Sequence, residues 1–253
     1  MIVAKPSIPR KNKDLFMLPI RSALCALLVM SFAAHAEISE EEVNAACAKV
    51  PDYARDGEQA YKAKNYAKAY NAFAKQVIWS ESCDLGDSAI ATAYNNVALT
   101  LIRQKNYREA QAWLMLMPKD PKSAYNLGMI KDKLAALPPA TSPAGEYWQY
   151  AGGSAWNTLT LKAGKSAGEY QADYMGYYFG IMGAWNGPNT GEFSAPVRLK
   201  DGKGVIAVRD GAIANCDIAL TVAPDEAELK TDQPQECGFG HNVDANGTFV
   251  RVK

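Results

Sequence analysis

Between Leu137 and Tyr147 the chain reads LPPATSPAGEY, and the two sides of this stretch differ in kind. From Glu40 to about Leu137 the residues are rich in Ala, Leu, Lys, Glu and Gln, all good helix formers, with no strand-like alternation. After Tyr147 the chain turns to short β-rich runs punctuated by turn residues. Proline blocks continuation of a helix, so the boundary separates two kinds of element. The prediction is an α+β multidomain chain: a helical domain at 37–137, a Pro-rich linker at 138–145 and a β-domain at 146–253. The 48% hydrophobic and 21% charged composition of the 253 residues is that of a globular protein.

The helical half repeats itself. AKNYAKA at 63–69 matches QKNYREA at 104–110, and AYNNVAL at 93–99 matches AYNLGMI at 124–130. Such self-similarity signals stacked helical hairpins. Gly57, Tyr66, Ala69 and Phe73, then Ala98, Tyr107, Ala110 and Leu114, resemble the pattern of the tetratricopeptide repeat. Asn126, Leu127 and Gly128 open a third first-helix that caps the stack. The resemblance places Gly57, Ala69, Ala98, Ala110 and Gly128 at close helix crossings. It leaves Tyr66 and Tyr107 to plug the turns. Tyr66 and Tyr107 are 41 positions apart, against about 34 in the family. The excess is assigned to WSESCDLGD, read as a longer connection. The resemblance also implies a concave face that takes a protein or peptide segment. Asn96, Lys122 and Asn126 are the expected lining residues. Asn96 and Lys122 stand where some members grip a C-terminal carboxylate, but Ala54, Glu58 and Asn126 depart from that pattern.

In the β half nine runs are read as strands: EYWQYA, WNTLTLKA, GEYQADYMGYYFG, GEFSAPVRL, GVIAVRD, CDIALTVA, AELKTD, CGFGHN and GTFVRV. Their spacing suits a closed antiparallel barrel of lipocalin-like architecture, with a sandwich as the alternative. Alternation puts Cys216, Ile218, Leu220 and Val222 on one face and Asp217 and Thr221 on the other. It likewise turns Tyr170, Ala172, Tyr174, Gly176, Tyr178 and Gly180 inward. The opposite face of that strand, Met175, Tyr177, Phe179 and Ile181, is too apolar to stand free. It is expected to pack on the last helix through Leu127, Ile130, Leu134 and Leu137. Tyr177, Phe179 and Trp185 join the expected binding surface.

Lys5, Arg10, Lys11, Lys13 and Arg21 precede or enter the apolar run ALCALLVMSFAA, which ends in Ala34-His35-Ala36. This is the pattern of a secretory signal peptide at 1–36, with translation starting at Met1 or Met17. Its apolar core is too short to span a bilayer, so no stable membrane insertion is expected after cleavage. Cleavage would remove five of 27 basic and one of 27 acidic residues, leaving 22 and 26. No basic stripe then remains to bind nucleic acid. Cys47, Cys83, Cys216 and Cys237 remain, two on each side of the linker. The expected bridges are Cys47–Cys83 and Cys216–Cys237, which implies a periplasmic or secreted protein.

The tail, CGFGHNVDANGTFVRVK, alternates Asn242, Asp244 and Asn246 like the start of a calcium loop. The closing bidentate Glu of such a loop is missing, since Lys253 stands in its place. Asn246-Gly247 between β-runs reads instead as a hairpin turn, with His241 at its rim beside Phe239 and Val243. No nucleophile elbow, phosphate loop or metal-ligand cluster occurs, so no catalytic residue, cofactor or metal is assigned. The expectation is a non-enzymatic binding protein of the envelope. The alternatives are a small-ligand or glycan-binding barrel using Tyr147, Trp148, Trp156, Tyr177 and Trp185, and a carboxylate-dependent hydrolase.

Overall fold

A computed structural model describes residues 39–180 and 183–253. The signal-peptide reading and Ile181 lie outside the described residues. Six helices come first: α1 (Glu40–Cys47), α2 (Val50–Lys62), α3 (Tyr66–Ser82), α4 (Asp87–Arg103), α5 (Tyr107–Leu114) and α6 (Pro121–Ala135). A single eight-stranded antiparallel sheet follows, β1 (Gly145–Gly152), β2 (Ala155–Ala163), β3 (Glu169–Tyr178), β4 (Asn189–Arg198), β5 (Lys203–Asp210), β6 (Ala214–Val222), β7 (Glu226–Lys230) and β8 (Gly247–Arg251). One short helix, α7 (Gly183–Asn186), sits between β3 and β4.

The matching strings make matching turns. Lys64 and Lys105 both take positive φ, 60° and 66°. The next residues, Asn65 and Asn106, donate their backbone N–H to the Ala60 and Leu101 carbonyls five positions back, which closes each helix in a Schellman motif. Tyr66 and Tyr107 then open α3 and α5. Ala69, Ala98, Ala110 and Leu114 are fully buried. A Cβ on Gly57 would come within 2.5 Å of the Phe73 ring, so α2 and α3 meet there only because the side chain is absent. Gly128 behaves differently from expectation: it faces open space, with no described residue packed on that side of α6.

The 41-residue spacing has another origin than a long loop. WSES is helical, and only Cys83 to Gly86 connect α3 to α4. The extra length is in α3 and α4, of 17 residues each. The added turn of α3 carries Trp79 and Glu81 to the β half. Cys83 at its end is bonded to Cys47, and Cys216 to Cys237, so both expected disulfides form.

The strand order is β4-β3-β2-β1-β8-β7-β6-β5. Two four-strand meanders are thus joined through β1 and β8, and the ends of the sheet, β4 and β5, are neighbours in sequence. The sheet curls into a nearly closed barrel. Its interior is filled by Tyr147, Leu159, Leu161, Tyr174, Phe193, Ile206, Ile218, Leu220, Leu229 and Phe249. The predicted inward faces hold over the middle of each strand: Cys216, Ile218 and Leu220 are buried, as are Ala172, Tyr174 and Gly176, but Tyr178 and Gly180, also expected inward, are exposed where β3 ends. Gly176 leaves room for the Tyr174 side chain, whose hydroxyl donates to the Asp244 carbonyl at 2.9 Å.

CGFGHN is not a strand. A 3₁₀ turn at Pro234–Cys237 and positive φ at Gly238 carry it across the end of the barrel. There Phe239 lies against Gly191 and packs with Tyr174 and Phe193. The bond from Cys237 to Cys216 on β6 holds it there. The Asn246-Gly247 hairpin is therefore absent. Asn246 instead ties off the end of β7: its Oδ1 accepts from Thr231 N at 2.6 Å and its Nδ2 donates to Thr231 O at 3.1 Å.

The described residues from 39 to 253 form one compact unit. The joint is not the one expected. The Met175–Phe179 face does not cover α6, whose Ile130 is buried in the helical core together with partly buried Leu127 and Leu134. The outer face of β1 and β2 docks instead. Trp156 and Val252 are buried in the helical core, with Trp148 and Tyr150 packed against it. Trp113 of α5 meets Trp156 and Tyr150 edge to face, at 5.2 and 5.7 Å between ring centres. Glu81 fixes the joint: its carboxylate accepts from the hydroxyls of Tyr94 (2.7 Å) and Tyr150 and from the Gly153 N–H (2.7 Å).

Two outcomes follow. Trp156→Ala is expected to cost about 3–5 kcal/mol, as for a fully packed large aromatic. Calorimetry should show one transition shifted down as a whole; a helical transition left at its original temperature would contradict the shared core. Burial, and then the Glu81 charge, push the Tyr94 and Tyr150 hydroxyls far above the usual phenol range. A raised folded pKa leaves stability intact below the unfolded value of about 10 and erodes it above that pH. In a spectrophotometric titration these two should ionise only as the fold opens.

Candidate functional site

Three helices, α2, α4 and α6, contribute residues to one surface. On α2 these are Pro51, Ala54, Arg55, Glu58, Tyr61 and Lys62; on α4 Thr92, Asn95, Asn96 and Leu99; on α6 Pro121, Lys122, Tyr125 and Asn126. Each set recurs at i, i+3, i+4 and so on, which is one stripe of a helix. Together they line two adjoining hollows of about 600 and 450 Å³ that share Asn96 and Leu99. The result is a continuous groove.

Its floor is a buried polar network. Asn126 Nδ2 donates to Asn95 Oδ1 at 2.7 Å, and Asn95 Nδ2 donates to Ser123 Oγ and to the Ala91 carbonyl, both at 2.8 Å. Asn95 and Asn126 hold the same place in the two AYN strings, so the repeat brings its own copies into contact. Their neighbours differ: Tyr94 is buried among aromatics, whereas Tyr125 is 69% exposed, because α6 has no helix beyond it. The walls carry charge. Glu58 is paired with Lys62 at 2.7 Å, Arg55 with Asp52 at 2.7 Å, and Lys122 Nζ donates to Thr92 Oγ1 at 2.7 Å.

The six expected binding residues fall in three places. Asn96 and Lys122 line the groove, Asn96 donating to Gln76 Oε1 at 3.0 Å. Asn126 belongs to the floor and its amide is already engaged. Tyr177 lies at a cleft between β4 and β5. Phe179 covers Gly153 and Gly183, and Trp185 packs edge-on against Trp79 at 4.8 Å. Tyr61, Leu99 and Tyr125 were missed from the groove, although the 92/95/96/99 spacing on α4 was there to be read.

The aromatics named for a ligand-binding barrel also separate. Tyr147 is inside the barrel, its hydroxyl donating to the Pro143 carbonyl at 2.7 Å. Trp148 and Trp156 meet at the joint, beside a hollow of about 580 Å³ shared with Arg108, Met115 and Leu134. His241 is exposed, on the loop that stands in place of the expected final hairpin. Asp244 accepts from Asn246 N and Nδ2, at 2.8 and 3.1 Å. Glu109 and Glu146 converge on Lys253 Nζ at 3.7 and 2.9 Å, a cation between two carboxylates that secures the C-terminal residue. Burial raises the Glu109 carboxyl.

The fold and groove define an α+β chain in which a helical stack rests on a barrel. No family model matches it, and neither curated proteins nor solved structures give a match.

Because its amide is spent inside the floor, Asn126→Ala is expected to act on stability. The loss is about 1–3 kcal/mol, the cost of leaving Asn95 without its partner. Asn96→Ala, at the half-buried wall, should cost less. Urea denaturation of both variants checks the order.

Proposed function

We propose that the protein is a non-enzymatic binding module of the bacterial envelope that takes a protein or peptide segment in the α2–α4–α6 groove. The observation that carries this reading is the continuous groove, contributed by α2, α4 and α6 and left open while α3 and α5, with Tyr94 of α4, hold the barrel. Half-exposed Tyr61 and Leu99 and exposed Tyr125 offer apolar anchors. Arg55, Lys62 and Lys122 stand beside them, a rim of charge around apolar contacts as in protein interfaces. The repeated strings and their matching turns support a tetratricopeptide-like stack, a class of repeat that binds on this face.

The filled barrel favours a supporting role for the β half over a ligand cup. Two disulfides accord with an oxidising compartment. With the signal-peptide pattern, this supports a periplasmic or secreted location. A glycan or other small ligand is the second reading, favoured by Trp148 and Trp156 meeting at the hollow beside the joint.

The test is capture from envelope extract by the full chain against Tyr125→Glu and Leu99→Glu, with melting temperatures checked. Capture of a discrete polypeptide should fall by about tenfold or more in either variant, the loss of one hot-spot contact. Equal capture by all three would overturn the groove as the site.

A further inference from the structure

The barrel ladder is broken between β4 and β5. These strands are joined by a tight turn with positive φ at Asp201 and Gly202, 52° and 75°. Lys200 and Lys203 exchange both backbone bonds, at 2.9 and 3.0 Å, and the pairing stops there. Above that point the strands part, and a cleft of about 810 Å³ opens between Glu192–Pro196 and Ala207–Asp210.

The register shows which way each peptide group points. Leu199 N donates to Gly168 O, so on β4 Gly191, Phe193, Ala195 and Val197 bond to β3. Thr190, Glu192, Ser194 and Pro196 then turn their peptide groups to the cleft. On β5, the Val222 N to Gly202 O bond sets the even residues toward β6, so Val205, Ala207 and Arg209 face the cleft. Pro196 has no N–H to give, at a position where a ladder to β5 would need one. The side chains beneath, Phe193, Ala195 and Val208, form an apolar wall. Arg209 is engaged by Asp217.

The chain already bonds to this edge at one end. Gly240 N donates to Thr190 O at 2.9 Å and Asn189 Nδ2 donates to His241 O at 2.8 Å. That segment goes no further along β4. Among the described residues, Glu192 and Ser194, next in line, keep N–H and C=O groups outside any ladder, and Val205 across the cleft is 55% exposed.

We propose that the cleft between β4 and β5 takes an extended segment of a second, different protein, added as a strand to the open edge. The edge supplies main-chain donors and acceptors, which select an extended backbone. The apolar wall selects small or β-branched side chains at every second position. Glu192 to Pro196 is enough edge for about five residues at roughly 3.3 Å each. This site is independent of the helical groove.

The test selects a random dodecapeptide library displayed on phage against the full, disulfide-bonded chain. Enriched peptides should alternate apolar and polar residues. The best of them, as a synthetic peptide, should slow amide exchange at Glu192 and Ser194 about tenfold or more, and N-methylation of its alternate amides should abolish binding. Ser194→Pro and, separately, Ala207→Pro test the two edges; at least one should weaken binding about tenfold with the melting temperature kept. Four results would overturn the proposal: no peptide enriched, protection confined to α2, α4 and α6, equal binding by the N-methylated peptide, or protection of the edge that rises with protein concentration alone. The last would give the edge to a second copy of this chain.

Discussion

The Glu81 carboxylate takes hydrogen bonds from Tyr94 on α4, from Tyr150 on β1 and from the Gly153 N–H in the β1–β2 turn. Two phenols buried at a joint without an acceptor would each lose their water and gain nothing. One side chain at the end of α3 removes both penalties and ties the turn as well. Around it Trp113, Trp148 and Trp156 supply the apolar area. Hydrophobic contact alone would allow the barrel to slide or rotate on the helices; three directional bonds to one carboxylate fix the orientation. The linker is held by the same logic: the guanidinium of buried Arg251 donates to the carbonyls of Ser142, Ala144 and Pro224 and lies over the Tyr147 ring.

This joint determines what is left free. Trp79 and Glu81 on α3 and Trp113 on α5 face the barrel, with Tyr94 of α4 beside them. The faces of α2, α4 and α6 that remain uncovered form the groove. Attaching the barrel through α3 and α5 keeps that side clear.

The barrel shows a second economy. Filling its interior with Tyr174, Phe193, Phe239 and Phe249 gives the β half a core of its own. Crowding is relieved by glycines at Gly176 and Gly191, which lie opposite one another on β3 and β4. The disulfide to Cys237 pulls the β7–β8 connection over one end, and that plug stands where a last hairpin was expected. The unpaired edges of the nearly closed barrel lie in adjacent strands, and Pro196, with no N–H, stands where a ladder to β5 would need a donor.

Residue order by itself determined the division at Leu137–Tyr147, the helical character of one half, the β character of the other, both disulfide pairings and the inward faces of β3 and β6. These are local matters of propensity, period two alternation and proline. The repeated KNY strings also recur as two matching turns, each with a left-handed Lys and a following Asn whose N–H bonds back to the helix it closes. Tertiary structure decided the rest. CGFGHN has a strand's composition, but Cys237 is bonded to Cys216, and that long-range tie overrides the local preference. The apolar face at Met175–Phe179 was legible as needing cover, yet alternation cannot say which of several apolar surfaces will meet; the buried acceptor at Glu81, 69 residues from Tyr150, made that choice. The groove was half legible: Asn96 and Lys122 were found, Tyr61, Leu99 and Tyr125 were not, because three stripes on separate helices become one surface only when the helices stack.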